Sequence, residues 1–379
     1  MAEDQSTTAA ANEKHRVPDL PLSTKLKYGA IVYAIQNLVK PVLFVRDLKD
    51  SIIPAQNRPD IVKTYECRPF LPVRIFFPKC FDRESKDTLP VLFTIHGGGF
   101  VVGTPNDNDE WNMKYATNHH SIVIALNYGK APANCFPKPI HDCEELFLAA
   151  LKDESLPLDK SRVALSGWSA GGNLVLAISQ LETVRKHLTA IVALYPMVDF
   201  SVDPEEKAKR RQYKPELGGF RAKERDFLLG MAPIFDWSYL VPGGDSRNPL
   251  LSPCYATKEV LPKRVFIIGC ELDMLCHEDQ RLIHRLAGHP PPSDVVGRQE
   301  STGKGELILD DEKFHFEVSN PDGSQYKWLL IPDTVHGFDQ DLSTITRDPG
   351  LHEDAEIKAQ KTMKIIGEWI RQAPPLNNT

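Results

Sequence analysis

Between residues 89 and 332 the chain alternates short runs of continuous apolar residues with segments of helical periodicity, and few folds accommodate that pattern. The runs are L-P-V-L-F-T-I (89–95), S-I-V-I-A-L-N-Y (121–128), R-V-A-L-S-G (162–167), T-A-I-V-A-L-Y-P (189–196), R-V-F-I-I-G (264–269) and K-W-L-L-I-P (327–332). A strand that is apolar on both sides of its pleat must be covered on both faces, which is the condition of strands in a parallel sheet. Helix-like segments at 140–152, 172–186 and 278–286 lie between the runs and supply that cover. The pattern predicts an α/β chain with a mostly parallel central sheet and helices on both faces.

The flanks and two interruptions complete the layout. Strand-like I-V-K-T-Y-E-C-R (61–68) and L-P-V-R-I-F-F-P (71–78) precede the alternation, and an amphipathic helix over about 354–372 follows it. Residues 1 to about 20 are polar and read as weakly ordered. In the stretch 27–45, Tyr28, Ile31, Val32, Ile35, Leu38 and Val39 recur at helical spacing. Gln36, Asn37 and Lys40 break the apolar run, so one face is apolar and no membrane span is expected. Pro41 is expected to end this helix, because proline cannot continue the hydrogen-bond ladder.

Residues 200–245 are charged and then aromatic (Phe220, Phe227, Phe235, Trp237, Tyr239), and interrupt the march of strands. Residues 288–325, rich in Pro, Gly, Asp and Lys, read as a loop or a small hairpin of E-L-I-L-D and F-H-F-E-V. The expected organisation is an N-terminal tail and cap helix over 1–60, a catalytic domain over 61–199 and 246–379, an insertion at 200–245, and a loop or hairpin insertion at 288–325.

Several function classes are excluded at this point. The net charge is −6, and the basic cluster Lys207, Lys209, Arg210 and Arg211 sits beside Glu205 and Glu206, so nucleic acid is not an expected partner. The seven cysteines include no C-x-x-C pair, and zinc and redox motifs are absent. Free thiols and a polar, acidic start without a secretory pattern suggest a reducing, cytoplasmic setting. Neither a metal nor a cofactor is expected, and a homodimer is left open.

The motif that carries chemistry is G-W-S-A-G-G-N, 167–173, set between the strand R-V-A-L-S and a helix. A serine at a sharp strand-to-helix turn is lifted to the mouth of a sheet, in a strained backbone conformation above a helix N-terminus that favours developing negative charge. Ser169 is therefore the candidate nucleophile. A second motif, H-G-G-G-F (96–100), ends the strand 89–95. Glycines let the backbone pass close to a ligand with its amides turned inward. An acyl-transfer site needs such donors where an oxyanion develops, and the expected ones are the amides of Gly98, Gly99 and Ala170. The motif lacks the Lys-Ser/Thr of a nucleotide loop. His96 reads as an anchor for the loop rather than as a base.

A serine hydroxyl needs a base, and the base an acid to orient it. Downstream of Ser169, the run R-V-F-I-I-G leads into C-E-L-D-M-L, which makes Asp273 the expected acid, with Glu271 and Asp279 as alternatives. The last run leads into D-T-V-H-G-F, and His336 follows at the same end of the sheet. Phe100 and Trp168 are the expected pocket residues.

With these residues in place, the chain resembles the hormone-sensitive-lipase family of α/β-hydrolases, which includes arylacetamide deacetylase-like proteins and plant and fungal carboxylesterases. The likeness runs from about Val91 to the C-terminus. Besides H-G-G-G-F, G-x-S-A-G-G-N and H-G-F, it is carried by L-N-Y-G-K-A-P-A-N-C-F-P (126–137), N-P-L-L-S-P (248–253) and E-L-D-M-L (271–275). It implies an α/β-hydrolase fold with a helical cap, built from the N-terminal helix and the insertion after the sixth strand. It also implies a carboxylic-ester hydrolase acting on small to medium acyl esters, aromatic or secondary-metabolite esters included, through an acyl-enzyme.

Three departures from the family pattern stand out. Trp168 replaces the usual Asp before the nucleophile, Pro132-Ala133 replaces Pro-Glu, and the insertion at 288–325 lengthens the gap between Asp273 and His336. The same triad could serve an acyltransferase, a lactonase or an amide deacylase. Similar plant gibberellin receptors bind small molecules without turnover, but they lack the histidine that this chain keeps at His336.

Overall fold

The computed structural model describes residues 15–52 and 57–376. Helix α1 (Leu22–Ile52) comes first, followed by strands β1 (Ile61–Lys63), β2 (Val73–Phe76) and β3 (Leu89–Ile95). Next are α2 (Asp109–His119), β4 (Ile122–Leu126), α3 (Lys138–Lys152), β5 (Leu158–Trp168), α4 (Ala170–Ile178) and β6 (Ala190–Leu194). Helix α5 (Ala232–Tyr239), β7 (Arg264–Cys270), α6 (Cys276–Ala287), β8 (His315–Ser319), β9 (Gln325–Ile331) and α7 (Pro349–Arg371) complete the main elements.

The strands form one sheet in the order β1-β2-β4-β3-β5-β6-β7-β9-β8. Strands β4, β3, β5, β6, β7 and β9 run parallel, while β1, β2 and β8 close the edges by antiparallel pairing. Successive strand residues point to opposite faces, and the two cores divide accordingly. Phe93, Ile124, Leu165, Ile191 and Ile267 pack with Ile140 and Leu146 of α3, Leu174 and Val175 of α4, and Leu282 and Ile283 of α6. Their neighbours Leu92, Val123, Ala164, Val192 and Phe266 pack on the other face with Trp111 and Tyr115 of α2 and Met363, Ile366 and Trp369 of α7.

The expected runs all fall on strands of the sheet. Three expectations give way. Helix α1 continues through Pro41, because the turns before it are held from outside. Gln36 donates through Nε2 to the carbonyls of Val101 (3.0 Å) and Ala131 (2.9 Å). Tyr28 meets Trp237 of α5 edge to face at 5.9 Å. A proline inside a helix removes one N–H bond and crowds one carbonyl; here tertiary anchoring offsets that loss. Second, the hairpin alternative for 288–325 gives way to the loop: E-L-I-L-D (306–310) is not a strand, and F-H-F-E-V pairs instead with β9, whose edge it covers. Third, the tail is ordered earlier than expected. Residues 1–14 lie outside the described set, but Val17 N donates to Gly244 O at 2.8 Å and Gly243 N to Val17 O at 2.9 Å. Val17 is thus tied to the end of the segment 200–245. Among the described residues, no helix is long and apolar enough to cross a membrane.

Candidate active site

The parallel strands β3, β5, β7 and β9 end on the same side of the sheet, and the loops leaving them supply the site. Strand β5 passes into α4 through Ser169, whose φ is +52°. This non-glycine residue in the left-handed region marks a turn held by its surroundings. The crossing is close enough that a side chain at Gly171 would collide with the carbonyl oxygen of Ile95 at the end of β3. Glycine is required there by steric contact, and the same contact fixes Ser169 beside the loop 96–100.

His336 Nε2 lies 2.9 Å from Ser169 Oγ, and His336 Nδ1 lies 2.6 Å from Asp273 Oδ2. Asp273 is fully buried and His336 nearly so, while Ser169 stays partly open. Asp273 Oδ1 accepts from Leu275 N at 3.0 Å, which leaves Oδ2 to the histidine. Burial alone would lower the His336 pKa. The charge of Asp273 and its hydrogen bond outweigh that, helped by Asp226 and Asp339, and the net shift is above the ordinary histidine range.

The two alternative acids are engaged elsewhere. Glu271 accepts from Lys214 Nζ (2.8 Å), Arg298 N (2.8 Å) and Asp333 N (2.8 Å). Asp279 is fully buried, and neither of its carboxyl oxygens has a hydrogen-bond partner among the described residues. Burial, then Glu278 and Asp273, push its pKa up, which favours its neutral form. Of the three carboxyls, only Asp273 reaches His336.

A cavity of about 410 Å³ opens above Ser169, bordered by Gly98, Gly99, Phe100, Trp168, Ala170 and His336 among others. The amides of Gly98, Gly99 and Ala170 donate to no other group among the described residues. Gly98 has φ +106°, and a side chain there would strike Val102 O, so the loop needs glycine at this position. His96 is buried away from Ser169: its Nδ1 lies 2.7 Å from Gly97 O and its ring stacks on Tyr128 at 4.4 Å. Burial and the neighbouring Lys130 lower its pKa, which keeps it neutral. It holds the glycine loop in place.

Phe100 and Trp168 border the cavity but are almost entirely covered. Phe100 stacks flat on Tyr239 of α5 at 3.7 Å. Trp168 meets Trp111 edge to face at 4.9 Å, and its indole Nε1 donates to Asp339 Oδ2 at 2.7 Å. Asp339 also accepts from the Tyr195 hydroxyl, and the Tyr195 ring lies 4.7 Å from the His336 ring. The sequence reading missed Asp339 and Tyr195. Its available signal was Trp168 itself, because an indole N–H buried at the elbow demands an acceptor nearby.

The segment 200–245 grips the acid loop from above. Lys214, fully buried, bridges Glu271 Oε2 at 2.8 Å and Asp333 Oδ1 at 2.7 Å, and donates to Glu300 O at 3.0 Å. Asp226 accepts from Met274 N at 3.0 Å, and Arg211 Nε donates to Leu272 O at 2.7 Å. These contacts flank Asp273 on one side and the loop to His336 on the other. Removing one partner from a buried ion network leaves an uncompensated charge and costs about 3–5 kcal/mol. Lys214→Ala is therefore expected to lower the urea midpoint by that equivalent with the m-value unchanged, as read by equilibrium unfolding.

Comparisons with known proteins bear on the fold and the family. A family model described as the alpha/beta hydrolase fold matches residues 92–299. An arylesterase of Saccharolobus solfataricus is 28% identical over 243 residues, which cover 63% of this chain and 72% of that protein. Mouse arylacetamide deacetylase is 36% identical over 246 residues, covering 56% of this chain and 61% of that protein. Among solved structures, an esterase of Pyrobaculum calidifontis superposes with a TM-score of 0.60 at 19% identity, over 90% of this chain and 92% of that one. The chain belongs to the α/β-hydrolase fold family, in its hormone-sensitive-lipase-like branch.

Proposed function

We propose that the chain is a serine carboxylesterase that hydrolyses small to medium acyl esters through an acyl-enzyme on Ser169. The observation that carries this reading is the unbroken line Asp273–His336–Ser169, at 2.6 and 2.9 Å, beneath a cavity bordered by Gly98, Gly99 and Ala170, whose amides have no partner among the described residues.

Neutral His336 takes the Ser169 proton at Nε2 as Oγ bonds to the ester carbonyl carbon. The carbonyl electron pair moves onto oxygen, where the Gly98, Gly99 and Ala170 amides hold it. Asp273 keeps the proton of the resulting imidazolium on Nδ1 and stabilises its charge. His336 then gives its Nε2 proton to the departing alkoxide, and an alcohol leaves. Water, deprotonated by the same nitrogen, attacks the acyl carbon and releases the acid and Ser169. The segment 15–52 and residues 200–245, tied together at Val17–Gly244 and Tyr28–Trp237, act as the cap over this site. The seven cysteines are all free thiols, which fits a reducing compartment.

A chromogenic ester provides the test: a stoichiometric burst of alcohol ahead of steady turnover supports the reading, and inactivity on every acyl ester would sink it. The pH profile has a definite sign. His336 must be neutral to act as the base, so kcat/KM falls as pH drops through its pKa. Because that pKa is raised, the acid limb is expected to have its midpoint above the ordinary histidine value of about 6.5. A midpoint well below that value would contradict the assignment of the limb to the Asp273–His336 pair.

A further inference from the structure

The cap side of the cavity carries one polar group that the esterase mechanism does not use. Helix α5 presents Ala232, Phe235 and Asp236 to the cavity, positions three and four apart that share a helix face. Phe235 lies directly over the glycine loop, since a side chain at Gly99 would run into its ring. Asp236, the next residue, borders the same cavity.

Its Oδ1 is buried with no hydrogen-bond partner among the described residues, and Oδ2, which no described group engages either, is the less covered oxygen of a side chain that borders the cavity. A carboxyl group in that condition costs free energy unless something satisfies it. The described wall of the cavity offers no lysine or arginine to do so. The charged groups around Asp236 are Lys207, Glu278 and Asp203. Lys207 is committed to Glu278, with Nζ 2.7 Å from Oε2. The cluster thus holds more carboxylates than cations, and Asp236 is its member that borders the cavity. An anionic ligand would meet repulsion there, and a cation would complete the balance.

Resting on the esterase reading above, we propose that Asp236 is a specificity-determining residue that receives a protonated amine on the substrate, so that the preferred substrates are esters bearing an ammonium group. The ammonium N–H donates to the Asp236 carboxylate while Phe235, Phe200 and Met197 cover the apolar body of the molecule. Burial, opposed by Lys207 and reinforced by Glu278 and Asp203, raises the Asp236 pKa to about 7. The preference for the cation is therefore present above neutral pH and fades below it, as the carboxylate takes up a proton.

The test compares 2-(dimethylamino)ethyl butyrate with 3-methylbutyl butyrate, which share the acyl group and differ by an ammonium nitrogen in place of a carbon. A hydrogen bond to a charged group is worth about 1.5–3 kcal/mol, so wild-type kcat/KM is expected to favour the ammonium ester by about 10–100-fold at pH 8. The ratio should collapse toward one in Asp236→Asn, whatever that variant's absolute rate. In the wild-type protein it should also decline between pH 8 and pH 6, a change that His336 cannot cause because both esters depend on it equally. Hydrolysis of both esters with a wild-type ratio near one, or a ratio that survives Asp236→Asn, overturns the inference and leaves the esterase reading standing. Failure to hydrolyse these two esters and a p-nitrophenyl ester as well overturns both.

Discussion

Ser169→Ala is expected to lower kcat/KM for any ester substrate by about 10⁴–10⁶-fold while the protein stays folded. The size follows from what the substitution removes. In the proposed mechanism the Oγ is the atom that bonds to the carbonyl carbon, and without it water must attack unaided. The amides of Gly98, Gly99 and Ala170 remain, so some acceleration over free water persists. Stability should change little, because among the described residues the only side-chain hydrogen bond of Ser169 is the one to His336. The loss is therefore expected in turnover and not in the unfolding midpoint, and a parallel thermal melt distinguishes the two. An alanine variant that keeps more than about a tenth of wild-type activity would be incompatible with covalent catalysis at this serine.

The second large effect is expected at Asp273. Replacement by Asn preserves size but reverses the hydrogen bond. The amide NH₂ can face His336 Nδ1 as a donor, which moves the ring proton to Nε2 and leaves nothing to accept the Ser169 proton. A loss of about 10⁴-fold in kcat is the expected magnitude for this tautomer error. The pH profile adds an independent reading. With the Asp273 charge gone, burial of His336 is opposed less, so the acid limb of residual activity should move to lower pH than in the wild-type protein. A variant with lowered kcat and an unmoved acid limb would separate Asp273 from the protonation of His336.

The residues expected to react were legible in the sequence because the chemistry imposes local patterns. Ser169 sits in a strand–turn–helix whose glycines are fixed by contacts such as Gly171 against Ile95, and those glycines are visible as letters. Asp273 and His336 stand just past apolar runs that end on the same side of the sheet. Groups defined by contacts between distant segments left no such trace. Trp168 and Asp339 are 171 residues apart, and Lys214 and Asp333 are 119 apart. Asp236 reads in sequence as one more acidic residue on an aromatic helix.

The misread elements have the same physical origin. Helix α2 has no counterpart in the sequence reading: it begins with Asp109 and Glu110, and its buried residues Trp111, Asn112, Met113, Tyr115 and Ala116 mix polar with apolar side chains, so its apolar signal is weak. The run 306–310 has strand-like composition, but the edge of β9 is already occupied by β8. Pro41 reads as a stop unless Gln36 is known to be held by the carbonyls of Val101 and Ala131.

The account as a whole rests on Ser169 being the atom that becomes acylated. Treating the protein with paraoxon, which phosphorylates an activated serine, and mapping the adduct by peptide mass spectrometry tests this most directly. The expected result is one diethylphosphoryl group per chain, on the peptide containing Ser169, accumulating in step with the loss of ester hydrolysis. An active protein that loses hydrolysis with the adduct on another residue, or that keeps Ser169 unmodified as activity disappears, would contradict it.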